Sequence, residues 1–385
     1  MPALGLAQTV LWAGLYYGFP ALLPHWRAEL GWSAPVLAGA FTLALLVQAL
    51  AAPFVGRHID AGHGRAVLLL GAAGGALGLV GLAALTTIWQ FYLVWAWLGL
   101  AMAGCLYDAC FSYVTRAFAD EARRIITRIT LFAGFAGTVS FPLAHHVAQA
   151  FGWRASVLVF AALILAIAVP ALVGLPATDV ASPRLAKAQH RAAERAAARS
   201  RAFWLLVLAF GAIALNHGML VTHLLPLLAS RGLDLGTAVM VAACLGPMQV
   251  VGRLALLAVE HRLAMDRVLV VTLLALAAAA TSLLLATYWL PLAFAFVLLQ
   301  GAGIGIVSIA RPVLVADRLG RDAFGAVNGR LAACFIGCTA AAPTVAALLS
   351  SWYGYDVVLW AAFALVLIAA VTILPAPTTE ARKIA

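Results

Sequence analysis

The sequence predicts an all-α integral membrane protein with twelve transmembrane helices in two pseudo-symmetric six-helix bundles. Three observations carry this prediction: a very apolar composition, a regular series of membrane-length apolar runs, and an uneven distribution of arginine and lysine between loops. Of the 385 residues, 65% are hydrophobic and only 10% are charged, whereas soluble domains carry about 25% charged residues. A soluble fold of this length could not bury so much apolar surface, so a lipid bilayer must surround the chain.

Apolar runs long enough to cross a bilayer occur twelve times, since a span needs about 20 such residues. Spans 1 to 6 lie at 3–25, 34–56, 66–88, 91–115, 125–150 and 155–175, and spans 7 to 12 at 203–227, 236–259, 267–287, 290–315, 323–350 and 355–375. Span 1 is predicted to be a membrane helix rather than a signal peptide, because no basic residue precedes Arg27. The resulting domains are an N-terminal bundle (1–175), a basic cytoplasmic linker (176–202), a C-terminal bundle (203–375) and a cytoplasmic tail (376–385).

The basic residues orient these spans. If the N-terminus is cytoplasmic, inner loops hold 18 of the 24 Lys and Arg, outer loops hold 3, and 3 lie inside spans. Because inner loops concentrate positive charge, both termini are predicted to be cytoplasmic, in a plasma (inner) membrane.

The spread of basic residues over many loops argues against nucleic-acid binding despite a net charge of +10. No zinc-type cysteine spacing or nucleophile–base pattern occurs, so no metal, cofactor or enzymatic activity is predicted, and the protein is expected to be monomeric.

A short polar loop at 56–65 carries the pattern Gly-x-x-x-Asp-x-x-x-Gly-Arg, formed by Gly56, Asp60, Gly64 and Arg65. Such a loop between two membrane-length helices must lie at a membrane face, because lipid cannot solvate its backbone or charges.

The two halves of the chain also echo one another. Residues 55–57 and 251–253 both read Val-Gly-Arg, and the segments that begin at Arg128 and Arg330 are similar, with offsets of 196 and 202 residues. Together with the central linker, these echoes favour a duplicated six-helix bundle that binds a ligand near the midplane, between the halves.

The 56–65 loop, the twelve spans, the basic central loop and the Gly152-Trp153-Arg154 turn together resemble the major facilitator superfamily of transporters along the whole chain. The resemblance implies that spans 1, 4, 7 and 10 line a central cavity, flanked by spans 2, 5, 8 and 11. It also implies a conformational gate at the inner face, made of Gly56, Asp60, Gly64, Arg65, Arg128 and Arg330. Position 61 is alanine where the family often has arginine, which weakens part of the usual charge network.

Asp108 is the only acidic residue in the interior of a predicted span, about 12 Å from the inner end of span 4. A charge at that depth costs at least about 2.5–3.5 kcal/mol, so it needs a partner or a function. The functional interpretation is that Asp108 carries the coupling proton. The alternative is a fixed ion pair with an arginine of the same bundle.

Two arginines in the C-terminal half are candidates for binding an anion. Arg253 lies one turn after Gln249 in span 8, and its guanidinium fork matches a carboxylate. The monocarboxylate and oxalate–formate antiporter branch, which the chain resembles most, has an arginine in span 8 for anionic substrates, although the monocarboxylate transporters have Asp where this chain has Gln249. The alternative is that Arg253 only extends to the lipid headgroups. Arg311, before Pro312 in span 10, serves either the anion or a gate pair with Asp108.

The remaining predicted substrate-binding residues are Tyr16, Tyr17, Tyr107, Asn216 and His217. For the histidine, a hydrogen bond between helices is the alternative. The sequence therefore predicts a secondary active transporter that moves a small organic anion, a carboxylate, by alternating access with a proton. Its expected partners are that substrate, the proton and the lipid bilayer. A multidrug or metabolite exporter of the same superfamily and a non-transporting membrane sensor on this scaffold remain as alternatives.

Overall fold

The computed structural model describes residues 2–118, 121–177, 185–259, 262–321 and 323–373, and every regular element in these ranges is a helix. The first half contains α1 (Pro2–Leu11), α2 (Gly18–Leu30), α3 (Ala34–His58), α4 (Gly64–Ala84), α5 (Ile88–Cys105), α6 (Tyr107–Ala117), α7 (Ala122–Ala133), α8 (Ala136–Leu163) and α9 (Val169–Val173). The linker and second half contain α10 (Leu185–Arg199), α11 (Arg201–Thr222), α12 (Leu224–Ser230), α13 (Leu235–Ala243), α14 (Leu245–Val259), α15 (Met265–Leu285), α16 (Leu292–Leu319), α17 (Phe324–Tyr353) and α18 (Tyr355–Ile373). The predicted tail at 376–385 lies outside the described residues.

Nine helices within the described ranges are long and apolar enough to cross a membrane. Two of them, Pro35–Ala84 and Ala122–Val173, are 50 and 52 residues long, about twice the length of one span. Each is interrupted by a glycine in the left-handed region, Gly62 at φ 92° and Gly152 at φ 81°. The nine helices therefore contain eleven of the twelve predicted spans, and span 1 corresponds to the helical stretch 2–30. The prediction of an all-α membrane fold is confirmed.

Large apolar side chains point outward from these helices. Leu70, Leu93 and Val371 are 74%, 71% and 73% exposed. In water such side chains would form a large and unfavourable apolar surface, whereas in a bilayer the lipid chains surround them. The outer surface of the spans is therefore suited to hydrocarbon.

The chain divides into two compact units. The first comprises Met1–Arg195 with Arg321–Ala333, and the second comprises Ala196–Gly320 with Cys334–Ala385. In the first unit α5 packs against α3 and α4, and α4 packs against α9. In the second unit α16 packs against α14 and α15, and α15 packs against α18. Helices α3, α4, α5 and α9 lie in spans 2, 3, 4 and 6, and helices α14, α15, α16 and α18 lie in spans 8, 9, 10 and 12. The two sets of spans therefore pair in the same way, as a duplicated bundle requires.

Small residues allow the paired helices to approach closely in both units. A Cβ added at Gly99 of α5 would lie 2.8 Å from the Cα of Ala44 in α3. In the second unit a Cβ at Gly252 of α14 would lie 2.6 Å from the Cα of Ala302 in α16. Without a hydrophobic effect between lipid-exposed helices, such close backbone packing supplies much of the attraction.

Candidate functional site

The start of α17 packs against the end of α3 through four small residues. A Cβ added at Gly56 would collide with the carbonyl oxygen of Gly325, and one added at Gly329 would collide with that of Ala52. The pairs Ala52/Gly56 and Gly325/Gly329 each have the four-residue spacing that presents two small residues on one helix face. We call these four residues the α3–α17 contact. It lies within the first compact unit.

Asp60 closes this contact by capping α17. Its carboxylate accepts hydrogen bonds from the backbone N–H groups of Gly325 (2.8 Å) and Ala326 (2.7 Å), and the residue is only 5% exposed. The first N–H groups of a helix have no partner inside the helix and carry partial positive charge. Gly62, at φ 92°, turns the chain back toward α4 just after this carboxylate. The gate role of Asp60 stays a prediction, and this geometry is what it would use.

Replacing Asp60 by asparagine is expected to slow transport by several-fold to tenfold while ligand affinity stays nearly unchanged. Asparagine offers one acceptor oxygen and no charge to two N–H groups, and loss of an N-cap costs about 0.5–2 kcal/mol. Counterflow rates in proteoliposomes and ligand affinity by thermal shift measure the two effects separately. Glu121→Gln, at an exposed carboxylate, is the control. A variant that loses ligand binding would contradict the assignment.

The other predicted gate residues have different surroundings. Arg330, in α17, pairs with the buried carboxylate of Glu194 in α10 at 2.8 Å. Gly64 packs against Tyr113, whose ring carbon lies 2.8 Å from an added Cβ. Arg65 is half-buried at the start of α4, and Arg128 is exposed on α7. Sequence reasoning missed Glu194, although it is the only acidic residue between Asp179 and Asp234 in a strongly basic segment.

Asp108 lies directly after a break in span 4. Leu106 is extended, with ψ −169°, and separates α5 from α6. The break frees the carbonyl group of Cys105, which accepts a 2.8 Å hydrogen bond from the fully buried side chain of Gln8. Asp108 occupies the first turn of α6, where a negative charge is stabilised by the helix dipole. Discontinuous helices of this kind form ion and substrate sites in transporters.

The side chain of Asp108 faces the start of α17. The amide nitrogen of Asn328 lies 3.5 Å from Oδ1 of Asp108 and 3.5 Å from the hydroxyl of Ser112. Asn328 is fully buried, and its amide oxygen has no hydrogen-bond partner among the described residues. Asp108 and Ser112 also line one cavity together with Gly56 and Gly325. The carboxylate and the α3–α17 contact are therefore neighbours.

Three predicted substrate residues come together around Trp12, which sequence reasoning missed. Ring centroids of Tyr16 and Tyr107 lie 5.1 Å and 4.6 Å from that of Trp12, and Tyr17 lies 5.3 Å from Tyr16. A wide π-type turn at Trp12–Tyr17 places the three span 1 rings on one side of the helix. The indole N–H of Trp12 is buried and has no hydrogen-bond partner among the residues that the structure describes. This aromatic cluster adjoins Asp108 in sequence through Tyr107.

The second unit holds both candidate arginines. Arg253 on α14 is 5% exposed and Arg311 on α16 is 8% exposed. The guanidinium carbon of Arg311 lies 4.7 Å above the ring centroid of Phe335. Gln249 is half-buried one turn before Arg253, and its backbone packs against Gly305 of α16. The two arginines thus belong to two helices in direct contact.

Asn216 and His217 differ although they are adjacent. The side chain of Asn216 is fully buried, donates to the carbonyl of Ala362 at 2.9 Å and accepts from Gln300 at 2.9 Å. These bonds tie α11 to α18 and α16, so both ends of the amide are already used within the bundle. His217 is half-buried, and its Nδ1 has no hydrogen-bond partner in the described part of the chain. The Nδ1 of His217 therefore remains available to a ligand, and the substrate-binding role of both residues stays a prediction.

Membrane-length helices, a repeated pairing of spans and a carboxylate next to a broken helix are typical of a multi-pass membrane transport protein. A sequence model of the Major Facilitator Superfamily matches residues 4–287. The Escherichia coli fucose:proton symporter FucP, solved as a single-site variant, superposes with a TM-score of 0.75 at 17% identity over 97% of this chain and 96% of that one. A second structure, FucP in an outward conformation, gives 0.73 at 16% identity over 97% of each chain. No curated protein compared with the chain matches it.

The chain belongs to the Major Facilitator Superfamily, since the family model covers well over half of it. It is therefore a multi-pass membrane transporter and not an enzyme, as the sequence predicted. The likeness to FucP, at 17% identity, shows the fold alone. The assignment to the monocarboxylate and oxalate–formate branch stays a prediction, as does the cytoplasmic location of the termini.

Proposed function

We propose that the protein moves a small organic anion, a carboxylate, across the membrane together with a proton by alternating access. The observation that carries the proposal is the pair of buried arginines on the contacting helices α14 and α16. A buried cation in a membrane protein is costly and usually marks a substrate or ion pathway. Two such cations on one helix pair favour an anionic cargo over a cationic one.

Arg311 is well placed to hold a carboxylate. Its guanidinium stacks on Phe335, an attraction that keeps the planar group in one orientation. A guanidinium held by its face still presents N–H groups along its edge, and these match the two oxygens of a carboxylate. Gln249, one turn before Arg253, offers an amide for a neighbouring hydroxyl or carbonyl group of the substrate.

Asp108 is the proposed proton carrier. It lies at a helix break in the first unit, next to Asn328 and Ser112. A carboxylate can bind a proton and release it, which is the chemistry that a proton carrier needs. The name of the similar FucP structure, a fucose:proton symporter, supports a proton as the coupling ion.

The aromatic cluster supports a second candidate within the family, an exporter of apolar or multidrug-like metabolites. Trp12, Tyr16, Tyr17 and Tyr107 form a continuous set of ring contacts in the first unit. Flat apolar ligands bind such surfaces without needing an arginine. The arginine variants below separate the two candidates.

Arg253→Lys and Arg311→Lys are each expected to lower kcat/KM for labelled monocarboxylate counterflow in proteoliposomes by about tenfold or more. Lysine keeps the charge but loses the bidentate fork, and hydrogen bonds to charged groups are worth about 1.5–3 kcal/mol. Arg262→Lys, at an exposed position, is the matched control. Normal transport by both variants would refute the anion proposal, and retained flux of apolar substrates alone would favour the exporter.

A further inference from the structure

The linker helix α10 has two distinct faces. Arg191, Arg195 and Arg199 are all exposed. At 100° per residue they occupy an arc of about 80° and extend about 12 Å along the helix. We call these three residues the arginine stripe. The exposed arc of 191–199 contains no acidic residue, because the only acid of that segment, Glu194, is buried on the other side.

The stripe is held close to a membrane boundary by the chain itself. Helix α10 ends at Arg199, and the spanning helix α11 begins at Arg201. Ser200 caps α11, accepting a hydrogen bond from the backbone N–H of Phe203 at 3.2 Å. Trp204, one turn into α11, is 56% exposed, and tryptophan is enriched where lipid chains meet headgroups. Arg199 therefore lies within two turns of the level at which phospholipid phosphates are found.

The opposite face of α10 is fixed to the gate region. Glu194 is 5% exposed and pairs with Arg330 of α17 at 2.8 Å. Arg330 follows Gly329 of the α3–α17 contact by one residue, and Asp60 caps the same helix five residues earlier. A ligand bound to the stripe would thus be linked, through one short helix and one ion pair, to the segment that closes the α3–α17 contact.

We infer that the arginine stripe is a binding site for the phosphate headgroups of anionic phospholipids of the adjoining leaflet. Guanidinium groups match phosphate oxygens bidentately, and basic residues next to a spanning helix are attracted to anionic lipid surfaces. Three like charges on an arc of the helix that carries no acid repel one another, and an anion bound over them relieves that repulsion. Bound lipid would hold α10 in place, so that lipid composition controls how firmly α10 restrains α17.

The test uses the full-length protein in detergent micelles titrated with phosphatidylglycerol or phosphatidylcholine, with bound lipid counted by native mass spectrometry. Wild type is expected to retain phosphatidylglycerol preferentially. The variant R191Q/R195Q/R199Q is expected to lose about tenfold of that preference, since each basic residue near an anionic surface adds attraction. R191K/R195K/R199K, which keeps the charge, is expected to retain most of it.

The matched control is R124Q/R262Q/R267Q, which removes three exposed arginines that do not form a stripe. It should bind phosphatidylglycerol like wild type, and an equal loss in this control would overturn the proposal. Unchanged binding by the stripe variant would overturn it as well, as would a short RNA that binds the stripe and displaces the lipid. If the triple variant does not fold, Arg195→Gln alone should still show a few-fold loss, and no loss there counts against the site. None of these outcomes depends on the transported substrate.

Discussion

Replacing Gly325 by alanine is expected to reduce transport at least tenfold without unfolding the protein. A Cβ at this position would collide with the carbonyl oxygen of Gly56 and would lie 2.7 Å from Oδ1 of Asp60. The first atom is backbone and cannot move aside, and the second is the cap of α17. Overpacking of this kind costs about 1–3 kcal/mol. Because it affects only the closed α3–α17 contact, the cost shifts the conformational equilibrium toward the open form.

The direction of the change in stability separates overpacking of the α3–α17 contact from a change in helix propensity. Alanine is favoured over glycine inside a helix by about 1 kcal/mol. For Gly337, on the same helix α17, no atom of the described residues outside the local helix backbone lies within 4 Å of an added Cβ. Gly337→Ala should therefore stabilise the protein slightly and transport normally. Gly329→Ala, which would meet the backbone of Ala52, should behave like Gly325→Ala.

Opening of the contact can be followed without knowing the substrate. Val55 lines the cavity beside Gly325 and is half-buried. A Val55→Cys probe, on a background in which the five native cysteines are replaced by alanine, reports access to that cavity through its reaction with a membrane-impermeant maleimide. Gly325→Ala should speed labelling roughly in proportion to the shift in equilibrium. Equal labelling rates in Gly325→Ala and Gly337→Ala would show that the close packing has no role in closure.

The fold could be predicted from the sequence because its determinants are local. The length of an apolar run and the charge of a loop depend on neighbouring residues alone, and lipid imposes both. The position of Asp60 at a membrane face could be predicted for the same reason, since a charged loop between two spans cannot lie in lipid. Its two bonding partners, 265 and 266 residues away, could be anticipated only as the start of span 11.

The rest of the site depends on contacts that no local pattern specifies. Gln8 meets the Cys105 carbonyl across 97 residues, and Gln300 meets Asn216 across 84. Asn216 is predicted to bind substrate because it is a polar side chain in a helix that the resemblance places at the cavity, and its hydrogen bonds to α16 and α18 were not predictable from the sequence. The four-residue spacing of Ala52 with Gly56, and of Gly325 with Gly329, is typical of closely packed helices. The spacing does not indicate which two helices are in contact, so the α3–α17 contact itself could not be predicted.

Replacing Asp108 by asparagine is expected to abolish proton-driven accumulation of substrate while leaving exchange largely intact. Asparagine has nearly the same shape as the protonated acid, and the neighbouring Asn328 can exchange hydrogen bonds with either. The packing at the start of α6 should therefore survive. If Asp108 carries the proton as proposed, the variant cannot take up a proton in one conformation and release it in the other, and without that step a pH gradient cannot drive net uptake.

Two measurements on the same proteoliposomes test this expectation. Uptake driven by an imposed pH gradient should fall to the level of passive exchange, whereas counterflow at equal pH should stay within a few-fold of wild type. Asn328→Ala is the matched control, because it changes the partner of Asp108 but keeps the titratable group, and it should still accumulate substrate. If the Asp108→Asn variant still accumulates substrate under a pH gradient, another residue must carry the proton. His217 is the next candidate, because its Nδ1 is buried and has no hydrogen-bond partner among the described residues.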